Sequence, residues 1–315
     1  MIQPAINAVR PPAVFDAAQT AGLLDFHDMV DALAVAADDY AAGRIHAPER
    51  QVVPFPQGGV MLSMPATAQD IGIHKLVNVV PGNKPLGLPT INGVVSVYDG
   101  RTGQALAVLD GPTVTARRTA AVSMLGIRSF MAAAPRCVAL IGCGTQSAGH
   151  ALALAALHPG VRTVVVGRDP AGARAFVKTH RDLDLALEAA GSVPAEADVV
   201  ITLTTSSIPV YTEPARAGRL LIGVGAFKPE LAEIGPDTLR ASLVYVDDPA
   251  GARHEAGDLI QAGIDWSRVE SLSAALSQGV PPGKPIVFKT VGCAAWDLAA
   301  ARCALRKKEF PQAVK

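Results

Sequence analysis

Only four cysteines occur in the 315 residues (Cys137, Cys143, Cys293 and Cys303), with no C-x-x-C pair and no zinc-ligand spacing. This spacing offers no cysteine metal site, and reduced thiols in a cytoplasmic protein are expected. There is no excess of either charge: 28 basic residues stand against 28 acidic ones. The chain therefore has no basic field for nucleic acid and no polybasic segment for a membrane surface. No run approaches the roughly 18 consecutive apolar residues of a membrane span. Met1-Ile2-Gln3-Pro4 lacks the charged and apolar regions of a signal peptide. No internal repeat and no low-complexity linker interrupts the chain.

Half of the residues are apolar, with 29 Gly and 24 Pro, as an α/β chain with many short turns requires. The length allows two domains and a well-buried core. Residues 13–43 read as two helices, with Gly43 as a stop. The texture then changes to strands over 52–55, 59–64, 71–79, 90–98 and 105–109, the last two joined by a hairpin loop at 99–103. The first 110 residues thus read as an α+β unit on a mostly antiparallel sheet. Helix is expected over 115–134. Beyond it, helices at 171–178, around 250–262 and at 269–278 alternate with strands at 199–204, 220–223 and 243–246. A final strand passes into a helix over 287–305. This alternation predicts a parallel sheet with crossovers.

Residues 136–168 carry the clearest signal. A strand (137–141) runs into Gly142-Cys143-Gly144-Thr145-Gln146-Ser147. A helix follows to about 157, then a strand (163–166) ending at Gly167-Arg168. This is the first βαβ unit of a Rossmann-like dinucleotide domain. Gly142 permits the tight turn, Gly144 lets the backbone approach a pyrophosphate, and the helix start offers free N–H groups. NAD-binding chains usually carry Asp or Glu at the end of the second strand. Here Gly167 and Arg168 remove that carboxylate and supply a guanidinium, with Asp169 one residue further on. NADP(H) is the favoured cofactor and NAD(H) the alternative.

Three cations occupy unusual places. Arg50 directly precedes a strand. Lys75 falls inside the apolar stretch Ile71-Gly72-Ile73-His74-Lys75-Leu76-Val77. Arg118 lies on a helix of small residues, Thr115-Ala116-Arg117-Arg118-Thr119-Ala120-Ala121. A buried cation needs a counter-charge, and a substrate carboxylate would supply one. Two plainer readings stay open: Lys75 on an edge strand facing solvent, and Arg118 in a structural ion pair. His74 faces the opposite side from Lys75 and reads as a packing or surface residue. Asp297 reads as the cap of the last helix, ahead of a supporting role at the site.

These blocks also resemble a known family. Leu62-Ser63-Met64-Pro65-Ala66, His74-Lys75-Leu76-Val77-Asn78, Gly87-Leu88-Pro89-Thr90, the Arg117-Arg118 block, the glycine loop and Phe288-Lys289-Thr290-Val291-Gly292 are similar to the ornithine cyclodeaminase/mu-crystallin family nearly end to end. The resemblance implies a homodimer. It also implies a substrate-binding and dimerisation domain (1–117 with 293–315) around a Rossmann domain (118–292). Arg50, Lys75 and Arg118 match the family's substrate-carboxylate and active-site cations, and Thr90 a residue lining the same cleft. Thr145 and Gln146 match phosphate-loop contacts; Thr204 and Val291 match positions beside the nicotinamide.

The chain departs from the cyclodeaminases proper at two places: Phe227 stands where they carry an aspartate, and Leu62 where they carry a glutamate. Glu230 or Glu233 could compensate if that loop aligns differently. An apolar pocket suits a cyclic imine with one carboxylate. The expected activity is therefore NAD(P)H-dependent reduction of 1-pyrroline-2-carboxylate or 1-piperideine-2-carboxylate, with Lys75 managing the imine proton. The alternatives are ornithine cyclodeaminase, an amino-acid dehydrogenase such as alanine dehydrogenase, and a mu-crystallin-like binding protein without turnover.

Overall fold

The computed structural model describes residues 11–307. The amino-terminal tetrapeptide and the outer ends of the expected two-segment domain lie outside the described residues. β1 (Ala13–Val14) leads into α1 (Ala17–Leu23) and α2 (Phe26–Ala41). Asp16 and Asp25 cap these helices by accepting from Gln19 N and His27 N. β2 (Gln51–Pro54), β3 (Val60–Thr67), β4 (Ile71–Val79), β5 (Ile91–Asp99) and β6 (Ala105–Asp110) join β1 in a six-stranded sheet of order β1-β6-β5-β4-β3-β2. Its pairs are antiparallel except β1 with β6. Along β4, Ile71, Ile73, Lys75 and Val77 are buried while Gly72, His74, Leu76 and Asn78 are half-exposed. One face of the sheet therefore meets the core. β4 lies between β3 and β5, so the edge-strand reading of Lys75 falls. His74 sits on the opposite face, its Nε2 2.9 Å from Ser63 Oγ.

α3 (Gly111–Phe130) connects this sheet to the second one and starts four residues earlier than expected. Asp110 caps it by accepting from Thr113 N, and Pro112 occupies its first turn. Then come β7 (Cys137–Ile141), α4 (Thr145–Leu157), β8 (Arg162–Val166), α5 (Pro170–Thr179), β9 (Ala186–Ala190), β10 (Val199–Thr202), β11 (Leu220–Gly223), α6 (Pro236–Arg240), β12 (Leu243–Val246), α7 (Pro249–Glu255), α8 (Gly257–Gln261), β13 (Val269–Ser271), α9 (Leu272–Gln278), β14 (Ile286–Lys289) and α10 (Ala294–Lys307). The eight strands are parallel, in the order β13-β12-β14-β11-β10-β7-β8-β9. The fold is α/β, a Rossmann-like parallel sheet joined to an α+β unit. The order reverses between β7 and β10, and a ligand crevice opens outside the carboxyl ends of the strands there.

Three local expectations are corrected. β9 lies where the sequence predicts no strand, because Ala-Leu-Glu-Ala-Ala carries no strand composition; pairing with β8 at the sheet edge decides it. The helix expected over 269–278 divides into β13 and α9, because Ser271 caps α9 by accepting from Ala274 N. The helix around 250–262 breaks at Ala256, whose ψ of 79° is not helical.

Small residues let α3 and α4 approach closely: a Cβ on Gly149 would stand 3.2 Å from the Ala116 carbonyl oxygen. Between them His150 is fully buried, with Nε2 2.8 Å from Ser123 Oγ and Nδ1 donating to Gln146 O at 2.8 Å. Burial pushes its pKa down to about 4, so it is a neutral strut under the start of α4. α10 returns to the first unit and packs on α2, α3, β3 and β4.

Candidate active site

The strand register builds the cation cluster. Lys75 pairs with Met64 on β3 and Val95 on β5, and Gln51 pairs with Ser63, so Arg50 enters the row beside Lys75. α3 brings Arg118 and α10 brings Asp297 to the same core face. Asp297 is 0% exposed, with Oδ2 2.6 Å from Lys75 Nζ and Oδ1 accepting from Arg118 Nε at 3.1 Å. Asp297 is thus the shared counter-ion of two buried cations, and the expectation that it merely caps its helix is corrected. The ion-pair reading of Arg118 holds for Nε. No local sequence signal marked this role, because Asp297 lies 179 residues from Arg118 and near a helix start where a cap is commonplace.

Arg50 spends Nη2 on Glu255 Oε2 at 2.8 Å and on the Gly292 carbonyl at 2.6 Å, tying β2 to α7 and to the turn before α10. Three cations stand against the two carboxylates that touch them. Burial lowers the pKa of Lys75 to about 8; Arg118 and Arg50 push the same way and Asp297 opposes them.

A second buried carboxylate shapes the turn before α10. Asp247 accepts from Val291 N and Gly292 N at 2.9 Å each and from Trp296 Nε1 at 3.1 Å. Gly292 has a φ of 74°, and a Cβ there would stand 2.5 Å from Arg118 Nη1. The glycine is required both by its left-handed backbone and by the guanidinium against it. Gly292→Ala is expected to displace Arg118 and to raise KM for a carboxylate substrate about tenfold or more, with dinucleotide affinity little changed. Steady-state kinetics check this, and an unchanged KM would show that Arg118 does not carry the carboxylate.

The glycine loop fits a dinucleotide. Gly142 has a φ of 126°, and a Cβ there would meet Leu203 O at 2.7 Å. Gly144 caps α4 without any side-chain bond, and the space where its Cβ would point is open. Gln146 Oε1 and Ser147 Oγ are buried without a hydrogen-bond partner among the described residues. Thr145 is exposed beside them. The free N–H groups of the helix start and the open space beside Gly144 suit a pyrophosphate. At the end of β8, a Cβ on Gly167 would meet Asp169 O at 2.9 Å and Cys143 Sγ at 3.0 Å. Packing thereby explains the missing acidic residue. Asp169 accepts from Gly172 N at 2.8 Å and caps α5, while Arg168 is exposed at the rim.

The other expected residues lie at varying distances from the cations. Thr90 is tied to the ladder by Val80 N, five residues beyond Lys75 on β4, so about 16 Å along the strand. Val291 flanks Arg50 through its carbonyl at 3.4 Å. Thr204 follows β10, but its hydroxyl donates to Glu233 at 2.8 Å. Phe227 follows β11 and is 38% exposed. Leu62 pairs with Val77, placing it diagonally next to Lys75 on the same face. Glu230 is exposed and Glu233 is fully buried, its oxygens filled by backbone and threonine donors. Neither supplies a free carboxylate to the cluster.

Comparison with known proteins bears on the family and the fold. The model of the ornithine cyclodeaminase/mu-crystallin family matches residues 11–308. Delta(1)-pyrroline-2-carboxylate reductase 2 of Burkholderia ambifaria is 56% identical over 297 residues, 94% of this chain and 95% of its own. Delta(1)-pyrroline-2-carboxylate/Delta(1)-piperideine-2-carboxylate reductase of Azospirillum brasilense is 54% identical over 301 residues, 95% of this chain and 97% of its own. The fold matches that of the Thermococcus litoralis Delta(1)-pyrroline-2-carboxylate reductase solved with NADH and L-proline, with a TM-score of 0.84 at 23% identity over 94% of this chain and 97% of that one. By sequence, by fold and by the match of one family model along its whole described length, this chain belongs to the ornithine cyclodeaminase/mu-crystallin family.

Proposed function

We propose that this chain is an NAD(P)H-dependent reductase of cyclic ketimine acids, converting 1-pyrroline-2-carboxylate or 1-piperideine-2-carboxylate to L-proline or L-pipecolate. The observation that carries the reading is the buried Lys75–Asp297–Arg118 cluster with its one uncompensated positive charge, set beside the apolar Leu62. That arrangement suits one carboxylate and a hydrocarbon ring. The names of three relatives above half identity point the same way.

Gly142, Gly144, Thr145 and Gln146 would hold the dinucleotide phosphates, with Thr204 and Val291 beside the nicotinamide. A reduced nicotinamide held there would supply the hydride that the imine carbon needs. Arg118 and Arg50 orient the substrate carboxylate, and Lys75 Nζ delivers the proton that leaves the imine nitrogen as an amine. The step needs orientation and exclusion of water more than covalent chemistry. A cyclodeaminase must also handle a second amine, and neither Phe227 nor Leu62 can. Purified protein should consume NADPH with 1-pyrroline-2-carboxylate and make no proline from L-ornithine and NAD. Proline with ammonia from ornithine would overturn the assignment.

The finer features belong to the same proposal. NADP(H) is preferred, since Arg168 meets no partner among the described residues and Asp169 is committed to its cap. Arg168→Ala should lower the NADPH-to-NADH ratio of kcat/KM by about 10- to 100-fold, the worth of a charge-assisted hydrogen bond; an unmoved ratio excludes the contact. A homodimer is supported by the half-exposed outer face of the six-stranded sheet, which carries Leu76 and Val94; sedimentation as a monomer would exclude it. The division into 1–117 with 293–315 and 118–292 crosses the continuous α3, which would serve both parts as a strut. Native-state hydrogen exchange should then resolve two cooperative units, and a single unit would remove the division. No described helix is long and apolar enough to cross a membrane. A cytoplasmic site fits the four unbridged thiols, and recovery from a periplasmic fraction would exclude it.

A further inference from the structure

We infer that Glu233 is a positioning residue for this reduction: from beneath the cleft it clamps the loops after β10 and β11 into the wall that faces the nicotinamide and the substrate ring. The inference rests on the reading just given. In a doubly wound sheet the dinucleotide crosses the carboxyl ends of the strands at the reversal of strand order. Its phosphates belong to the loop after β7, and its reactive half to the loops after β10 and β11. Those two loops carry Thr204 and Phe227.

Five donors converge on the Glu233 carboxylate. Oε1 accepts from Thr204 N at 2.6 Å and Thr204 Oγ1 at 2.8 Å; Oε2 accepts from Thr202 Oγ1 at 2.9 Å, Gly225 N at 2.6 Å and Ala226 N at 3.2 Å. The shell contains donors only, three of them backbone N–H groups that cannot turn, so it is built for an ionised carboxylate. Burial, with Asp258 adding to it, raises the pKa of the carboxyl above its usual value, and the Lys289 ammonium and the Thr204 donors oppose that rise. Lys289, at the end of β14, is itself fully buried and lies 2.8 Å from Asp258 Oδ2. The other Asp258 oxygen accepts from the backbone N–H groups of Glu233 and Ile234.

Space is equally restrictive. A Cβ on Gly225 would collide with Thr204 O and stand 2.7 Å from Glu233 Oε1, and one on Gly257 would collide with the carbonyls of Lys228 and Leu231. Thus β14 and α8 fix Glu233, and Glu233 fixes both loops; among the described residues these bonds do not involve Lys75 or Arg118. A shell this complete, placed directly under the cleft and outside the cation cluster, sets where the reactive loops stand rather than what they react with.

Glu233→Gln keeps the shape but places an NH2 against N–H groups on one side or the other. Thr202→Val, a milder change away from the cleft, removes one donor of the five. Hydrogen exchange of the full-length protein should show the amides of Thr204, Gly225 and Ala226 exchanging at least tenfold faster in Glu233→Gln, and a few-fold faster in Thr202→Val. In the same order kcat for 1-pyrroline-2-carboxylate should fall at least tenfold and a few-fold, with KM for NADPH held within threefold. Unchanged exchange would overturn the clamp, and faster exchange with unchanged kcat would overturn its role in positioning. If the wild-type protein does not reduce the imine, the functional reading fails on its own. The clamp is then judged by the emission of bound NADPH: a change in Glu233→Gln supports it, and identical emission overturns it.

Discussion

Lys75→Met should lower kcat/KM for 1-pyrroline-2-carboxylate by about 10²- to 10⁴-fold, the usual worth of a positioned proton donor, while NADPH still binds. The variant is expected to fold, and the reason is charge. Around Asp297 the wild type sets two buried cations against one carboxylate; the methionine leaves one against one. A lysine whose pKa falls from 10.5 to about 8 on folding costs stability while it is charged. Between these two values the unfolded chain holds more protons, so stability rises with pH across that window. Below it the cost is on the order of 3 kcal/mol. Removing the ammonium therefore relieves a penalty as well as removing a donor.

The pH profile separates donor from bystander. Only protonated Lys75 can donate, so kcat/KM should fall above about pH 8, the value for the free enzyme. A bound substrate carboxylate adds a negative charge to the cluster and holds the proton more tightly, so the fall in kcat should come at higher pH. Any limb that survives in Lys75→Met belongs to the substrate's own imine. Turnover within a few-fold of wild type would remove Lys75 from the chemistry.

The glycine loop and its flanking strands were legible because each feature is local. A tight turn, a bare helix start and two apolar strands occupy about thirty consecutive residues, and 137–141 and 145–157 form as expected. Lys75 was legible for a similar reason: a charge inside an apolar strand is conspicuous in one dimension. What it pairs with was not. Asp297 reaches it only because α10 returns to the first sheet, and that return leaves no mark in the residues around Asp297. Gly167 was read as a missing acid, whereas its packing against Cys143 and Asp169 is a three-dimensional reason for the same residue. Glu233 was weighed as a substitute carboxylate for the substrate, but its donors come from β10 and the loops after β10 and β11, which no spacing reveals. β9 was missed because an edge strand can take its conformation from its neighbour rather than from its own composition.

Asp297→Asn should be the most destructive single change near the site. It deletes the negative charge shared by Lys75 and Arg118 and leaves two buried cations facing each other. Breaking a buried pair from one side costs about 3–5 kcal/mol, so a fall in Tm of several degrees is expected. The decisive effect is on titration. Asp297 is the strongest influence holding the proton on Lys75, and the remaining influences, burial with Arg118 and Arg50, all push it off. The alkaline limb of kcat/KM should therefore move below about pH 8, and activity at neutral pH should fall further than the loss of folded protein accounts for. A residue that only caps α10 would behave differently: its loss would cost about 1 kcal/mol and leave the limb where it was. Thermal unfolding and a pH profile of the same preparation distinguish the two. A small change in Tm with an unmoved limb would return Asp297 to its helix and leave Lys75 without the counter-charge that holds its proton.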